Sequence, residues 1–381
     1  MKKVAIIGAG ISGLFIANLF KRNPNYIITI YEKNTPNNSE EGYGVQLSVN
    51  SIKLLNEIGF KKLQNYEKFI PEKISFYSNK NSNKICELDI TRFNSQDCSY
   101  TTLKRSNLIN FLKRDLGDLI KTGYNISKID QNDKQIKLTF ENNIINECDY
   151  LIISDGVFSK SKSLISENYS KPKYNETLAI RGILTKSPKN IDNKSISLFL
   201  GSDFHYVIYP VNPTGDLNFI AIMKYHLSTE KQKDYSLFNN KSFINQVLEK
   251  IHLKNIDFSN DLKELKLFPV FVSDSFYRLQ NNNIHLIGDA FFAFPPSFAQ
   301  GASQSIEGAY ELFKSIENNT ENNFFKNRVY KTKMVNIRSK FNQFAFHLSN
   351  PLNMFVRNFF LKKLVKNKKF LEYYLGKIYK N

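Results

Sequence analysis

The chain opens with KKVAIIGAGISGLFIANLFKR, and no other stretch restricts its fold as much. A short apolar run ends in Gly8-x-Gly10-x-x-Gly13, apolar residues then recur at helical spacing, and YIITIYEK follows as a second apolar run. Strand, helix and strand in that order make a β-α-β unit, the beginning of a parallel sheet. The glycines permit a tight turn, close backbone approach to a pyrophosphate and close packing of helix on strand, while the helix N-terminus offers free N–H groups to an anion. Glu32 stands 19 residues after Gly13, where a carboxylate takes the two hydroxyls of a nucleoside ribose. The expected dinucleotide-binding residues are therefore Gly8, Gly10, Ile11, Ser12, Gly13, Glu32 and the adjacent Lys33. The same stretch has the two lysines and apolar run of a secretion signal, but three glycines inside the run and the lack of a small-residue cleavage site argue against one.

A chain of 381 residues has room for two domains, and 41% hydrophobic with 23% charged residues is the balance of a soluble globular protein. The net charge of +18 raises the question of nucleic acid. Lysine is spread along the whole chain, however, and no basic block with interleaved stacking aromatics precedes the C-terminus, so no nucleic-acid partner is expected. Cys86, Cys98 and Cys148 are scattered and odd in number, which disfavours disulfides and a zinc site; no metal is expected, and a reducing cytoplasm fits.

Further along, EEGYGVQLSVNSIKLLNEIGF reads as a glycine-containing loop from residue 40 followed by an amphipathic helix that stops at Gly59. KISFYSN and KICELDI read as strands, and TTLKRSNLINFLKRDLGDLI as a helix capped by Thr101 or Thr102. CDYLIISDG is a near-continuous apolar run of the kind buried on both faces of a parallel sheet. Residues 171–271 carry short strand-like segments separated by Pro and Gly turns, the pattern of a mainly antiparallel second domain. IHLIGDAFFAFPPSFAQGASQSIEGAYELF, residues 284–313, then runs from an apolar strand through Gly288-Asp289 and a rigid aromatic loop into a helix starting at Gln300-Gly301. Everything from residue 326 reads as helical and basic.

Taken together, the glycine motif with Glu32, GYGVQLSVNSIKLLNEIGF, LKRSNLINFL, DYLIISDGVFSKSK and HLIGDAFFAFPPSFAQGASQSIEGAYEL resemble the single-component FAD-dependent aromatic hydroxylases, most closely their salicylate-hydroxylase-like branch. The resemblance runs from residue 3 to about residue 325. It implies an α/β fold, with a discontinuous Rossmann-like FAD-binding domain (1–75, 100–170 and 272–325), a β-sheet substrate domain (76–99 and 171–271) and a C-terminal helical segment (326–381). It implies FAD as cofactor, NADH or NADPH as reductant, and O₂ and a small aromatic or lipophilic molecule as substrates, hydroxylated or epoxidised by a flavin hydroperoxide. Rival readings are a flavin oxidoreductase that inserts no oxygen and a non-catalytic FAD-binding protein. A flavin-dependent halogenase needs a tryptophan motif, and this chain has no Trp.

Carried onto this sequence, the resemblance assigns Glu32 to the adenosine ribose, Arg105 to the FAD phosphate or ribityl region, and Asp155-Gly156 to the vicinity of the pyrophosphate. Asp289, with Gly288, falls to the ribityl chain, Val45 and Gln46 to the edge of the ring, and Gly301-Ala302 to the flavin's pyrimidine edge. Pro295, Pro296, Phe291, Phe292, Phe294 and Phe298 are expected to wall the reaction side of the ring and keep water out, with plain core packing under the loop as the alternative for about half of the aromatics. Arg105 on a polar helix side is alternatively a solvated residue, and Asp155 at a strand end is alternatively a helix cap. On the strand FHYVIYPV, alternation puts residues 205, 207 and 209 on one face, which makes His205 and Tyr209 the pair expected to face substrate. His205 has the intrinsic pKa of a base for a phenol proton, with a structural histidine as the alternative. Arg181 has the fork to clamp a carboxylate, or to pair with a surface acid.

Four positions depart from the family's pattern: Phe292 for a histidine, Ala299 for a glycine, Gly308 for an acidic residue and Lys162 for an arginine. The tail from Asn350 mixes Phe, Leu and Tyr with lysines. It is expected either to pack on the flavin domain with a solvated basic face or to lie on an anionic membrane and admit a lipophilic substrate. Oligomeric state is not legible.

Overall fold

The computed structural model describes residues 1–35, 43–131, 135–166, 169–184, 188, 191–251 and 261–380. The first residues of the glycine loop, 40–42, lie outside them. β1 (Lys2–Ile7), α1 (Ile11–Lys21) and β2 (Tyr26–Glu32) form the opening β-α-β unit. β3 (Gly44–Leu47) leads through Ser48 into α2 (Val49–Glu57), and Gly59, with φ of +93°, ends that helical region. β4 (Lys68–Phe69), β5 (Lys73–Ser78), β6 (Lys84–Asp89) and β7 (Thr101–Lys104) precede α3 (Arg105–Lys113) and β8 (Ile120–Thr122). A three-stranded meander, β9 (Ile126–Gln131), β10 (Ile136–Phe140) and β11 (Ile145–Cys148), returns the chain to β12 (Tyr150–Ile153) and α4 (Lys160–Ile165).

The second half holds β13 (Lys173–Leu184), β14 (Ile196–Leu200), β15 (Phe204–Pro210), β16 (Leu217–Lys224), α5 (Thr229–Lys233), α6 (Lys241–Glu249) and β17 (Leu262–Val272). Then come β18 (Ile284–Leu286), α7 (Gly301–Glu317), α8 (Glu321–Phe346) and α9 (Pro351–Leu364), followed by short helical turns to Tyr379.

Two sheets carry the architecture. The first is parallel, in the order β18-β12-β1-β2-β8. Every residue of β12 is buried, as its continuous apolar run predicts. The second has seven strands, β17-β13-β16-β15-β14-β5-β6, antiparallel except where β14 runs parallel to β5. All of β5 pairs in this sheet, so the expected boundary at residue 75 falls within a strand. Thr101 and Thr102 do not cap a helix. They belong to β7, which pairs with β3, and α3 begins only at Arg105 after Lys104. β-branched threonines fit a pleated strand at least as well as a cap.

Period-two alternation on β15 divides the interior. Tyr206 and Ile208 join Phe199 and Phe219 in the core on one face, with Tyr206 stacked on Phe199 at 4.5 Å between ring centroids. His205, Val207 and Tyr209 point to the other face, into a cavity between the two sheets and the C-terminal helices. That face is apolar too, so the sheet is buried on both sides, and Phe346, Leu371, Leu375 and Ile378 from the C-terminal segment pack toward it.

A buried ionic cluster fixes α7. Glu307 accepts from Arg328 at 3.3 Å, lies 3.3 Å from Lys331 and accepts from Asn50 of α2. Arg328 also donates to the Gln304 carbonyl at 2.7 Å. Gly308 makes room for this arrangement: a Cβ there would sit 2.9 Å from Arg328 Nε. The absence of an acidic residue at 308 thus has a packing cause.

Candidate active site

The turn after β1 is built by contact. Gly8, at φ of +100°, presses on the Ser154 carbonyl, and a Cβ on Gly13 would meet the Gly8 oxygen at 2.1 Å and Ser154 Oγ at 2.5 Å. No side chain fits there, so the start of α1 sits directly against the ends of β1 and β12. Gly10, by contrast, has no atom within 4 Å of where its Cβ would be. It faces open space at one end of the cavity, beside Ala9 and Glu32. The Glu32 carboxylate accepts from the backbone N–H of Ala9 at 2.9 Å and of Asn34 at 2.9 Å, so it is already oriented by the loop it serves.

The cavity measures about 1960 Å³, roughly twice the upper end of the ~1,000 Å³ usual for a single-ligand pocket. It has room for a dinucleotide and a second molecule. Of the expected residues, Gly10, Glu32, Val45, Gln46, Arg105, Arg181, His205, Tyr209, Asp289, Gly301 and Ala302 line it. Gly8, Ile11, Ser12, Gly13 and Gly288 are absent from its walls: Gly8 and Gly13 are spent on packing, and Ser12 Oγ lies 2.5 Å from a Cβ built on Gly288. Lys33 is exposed, outside the cavity, although Asn34 and Thr35 beside it are on the wall.

Asp155 also stands off the wall. Its Oδ2 accepts from the Ser161 N–H at 3.1 Å and the Ser161 hydroxyl at 2.8 Å, at the first turn of α4. The carboxylate is engaged with the helix N-terminus, and Oδ1 is buried without a hydrogen-bond partner among the described residues. Gly156 follows at φ of +86°, leaving Val157 as the segment's contribution to the wall. Lys162 is buried behind it, and desolvation lowers its pKa against the pull of Asp155 and Asp289.

Asp289 follows the 3₁₀ start at Gly288, after β18. Its side chain faces the cavity and is exposed by surface area, yet protein encloses the space around it, and desolvation there pushes its carboxyl up to about 6 while Arg105 and Lys162 pull it down. Gly301 starts α7 with open space at its Cβ position, so free N–H groups and the positive helix end face the cavity.

The aromatic loop divides between wall and core. Phe294, Pro296 and Phe298 line the cavity; Pro295, Phe291 and Phe292 do not. Phe291 and Phe292 belong to the core beneath, where Phe292 stacks on Phe276 at 4.3 Å. A histidine there would lack a polar partner in that stack, so the phenylalanine is a packing residue. Pro295 is buried behind the wall. Ala299 has φ of +50°, a left-handed conformation that favours glycine. Ala299→Gly is expected to stabilise the protein by about 0.5–1 kcal/mol, strain relief exceeding glycine's entropic cost, as a higher midpoint in urea unfolding.

At the other end, Tyr209 is held between β3 and the second sheet. The amides of Gln46 and Asn218 bond to it, and Gln46 Oε1 accepts from the Tyr100 hydroxyl at 2.8 Å. Burial pushes the Tyr209 phenol far up, opposed by Arg181 and the two amides, so it stays protonated. Arg181 lies over the rings of Tyr43 and Phe268, 5.9 and 5.8 Å from their centroids. His205 does not behave as its intrinsic pKa suggests. Its Nδ1 is 2.9 Å from Nε2 of His347, and burial with that neighbour holds it well below the usual range. His347 is itself lowered to about 4 by burial. The pair is neutral at pH 7, which makes His205 a weak proton acceptor.

Sequence reasoning missed the C-terminal wall. Asn353, Val356, Arg357, Phe360, Leu361 and Leu364 of α9 all line the cavity, with Tyr374 and Tyr379 beyond. The signal was the i, i+3, i+4 spacing of those positions, with an arginine inside the apolar stripe.

Residues 1–321 match the protein family described as FAD binding domain. Among curated proteins, 6-hydroxynicotinate 3-monooxygenase of Bordetella bronchiseptica is 23% identical over 330 residues, covering 83% of this chain and 82% of that one. Salicylate hydroxylase of Pseudomonas putida is 22% identical over 355 residues, 82% and 77% of the two chains. Among solved structures, HpxO of Klebsiella pneumoniae complexed with FAD and uric acid superposes with a TM-score of 0.77 at 14% identity, over 95% of this chain and 93% of that one. A salicylate hydroxylase substrate complex also gives 0.77, at 17% identity, over 100% of this chain and 95% of that one. The chain belongs to this FAD-binding-domain family, the family of the FAD-dependent aromatic hydroxylases that its motifs resemble.

Proposed function

We propose that the protein is a monooxygenase that uses FAD, NADH or NADPH, and O₂ to oxygenate an extended, largely apolar aromatic or polyene-like molecule. The observation that carries this reading is one continuous cavity with Glu32 and the open Gly10 turn at one end and a wall of aliphatic and aromatic side chains at the other. FAD supplies the redox chemistry and the activation of oxygen. Glu32 takes the adenosine ribose, Arg105 the phosphates and Asp289 the ribityl hydroxyls. The first N–H groups of α7 at Gly301 and Ala302 hold negative charge at the pyrimidine edge, and Val45 and Gln46 pass beside the ring. Asp155 and Gly156 shape the pyrophosphate end from behind the wall, with the Asp155 carboxylate as a helix cap.

Phe294, Pro296 and Phe298 exclude water from the reacting face. Tyr209, kept protonated, offers a hydrogen bond to a substrate oxygen, and Arg181 offers positive charge beside it. His205 fixes β15 against His347 and is a positioning residue in this reading. The outer face of α9 exposes Leu352, Phe355 and Phe359, with Lys362, Lys363 and Lys366 following. That face suits peripheral contact with an anionic membrane, which would bring a lipophilic substrate to the mouth of the cavity. Among the described residues no helix is long and apolar enough to cross a membrane. The test is coenzyme oxidation by the FAD-loaded protein with a graded series of phenols. The expected result is stimulation that rises from single-ring to multi-ring or prenylated compounds; a preference for the smallest would overturn the substrate class.

A further inference from the structure

The substrate end of the cavity has an apolar sheet face on one side, with Phe76, Leu198 and Val207, and α9 on the other. On the α9 side of that wall lies one guanidinium. Arg357 is only 8% exposed. Its Nε donates to Asn358 Oδ1 at 3.0 Å and Nη1 to the Ala345 carbonyl at 3.3 Å, while Nη2 is buried with no hydrogen-bond partner among the described residues. No carboxylate of the described residues pairs with it. Desolvation is strong enough to pull its pKa down to about 10.

A buried cation without a counterion is unfavourable, and an unmade bond on it more so. Folding alone gives no return for placing an arginine in the middle of an apolar helical stripe where leucine would pack. An acceptor arriving with a ligand satisfies Nη2 and neutralises the charge at once. Arg105, on the opposite, nucleotide side, is the residue assigned to the FAD phosphates, so the anion at Arg357 belongs to the other occupant.

We propose that Arg357 anchors the acidic end of the substrate, and that this substrate is an elongated lipophilic acid whose apolar body lies between the seven-stranded sheet and α9. The proposal rests on reading this part of the cavity as the substrate chamber. It adds a second fixed point to the one at Tyr209 and Arg181, so the molecule is held at both ends and its oxygenation site is set by its length.

The test uses FAD-loaded protein with a long-chain polyene carboxylic acid and its methyl ester, followed by polyene fluorescence. The wild type is expected to bind the acid about tenfold more tightly than the ester, the worth of one charge-assisted hydrogen bond. Arg357→Gln should erase that difference while leaving ester affinity unchanged, and Arg357→Lys should keep part of it. Equal or absent binding of acid and ester by the wild type would overturn the proposal. So would a preference that survives Arg357→Gln, which would assign it to surface lysines, and so would joint loss of acid and ester binding in Arg357→Gln, the mark of a structural role. Because binding is read without turnover, failure here leaves the monooxygenase reading standing.

Discussion

Glu32→Ala lowers the affinity for FAD by about a hundredfold, the expected result if its carboxylate takes the ribose hydroxyls. Two hydrogen bonds to a charged group, each contributing about 1.5–3 kcal/mol, correspond to at least that factor. The carboxylate also accepts from the Ala9 and Asn34 N–H groups. Its loss therefore removes both a ligand contact and the tether that orders the glycine turn. Glu32→Gln keeps an acceptor and should fall between the two. Titration of FAD into apoprotein, followed by flavin fluorescence, measures this; unchanged affinity in Glu32→Ala would place the adenosine elsewhere.

Arg328→Ala destabilises the folded protein by about 3–5 kcal/mol, because it leaves Glu307 deprived of one of its two cations inside the protein. The arginine bridges α8 to α7 through Glu307, Glu311 and the Gln304 carbonyl. Since α7 points its N-terminus into the cavity, the loss is felt at the site as well as in stability. Urea unfolding of the FAD-loaded protein gives the number. A cost below about 1 kcal/mol, the level of an exposed pair, would mean the cluster is not dry. Gly308→Ala should show the same effect in weaker form, since its Cβ would crowd Arg328 Nε.

Legibility followed the range of the interactions. The β-α-β unit, β12 and the start of α7 at Gly301 are set by local periodicity, glycine geometry and caps, and all were readable. The face of β15 that carries His205 and Tyr209 was readable for the same reason: alternation has a fixed period. What the sequence concealed was set by distant partners. Phe292 is drawn into the core by Phe276 and Thr101 is claimed by β3, whereas Asp155 takes the local helix-cap role at Ser161, six residues on. His205 lost the pKa expected of it to burial first and then to His347, 142 residues away. The C-terminal wall was hardest, because an amphipathic stripe does not announce whether it faces a core, a membrane or a ligand.

The departures from the family's pattern acquire separate explanations. Phe292 and Gly308 are packing solutions, and Lys162 is a buried cation between two aspartates. Ala299 alone retains strain, at the loop that leads into α7.

The central claim is that the dry end of the cavity serves oxygen insertion. FAD-loaded protein supplied with NADH or NADPH and isotopically labelled O₂ should transfer one labelled oxygen atom to a lipophilic aromatic or polyene acid, detected as a mass shift in the product. Coenzyme oxidation in which all the oxygen is recovered as hydrogen peroxide, with no labelled product from any such compound, would contradict it.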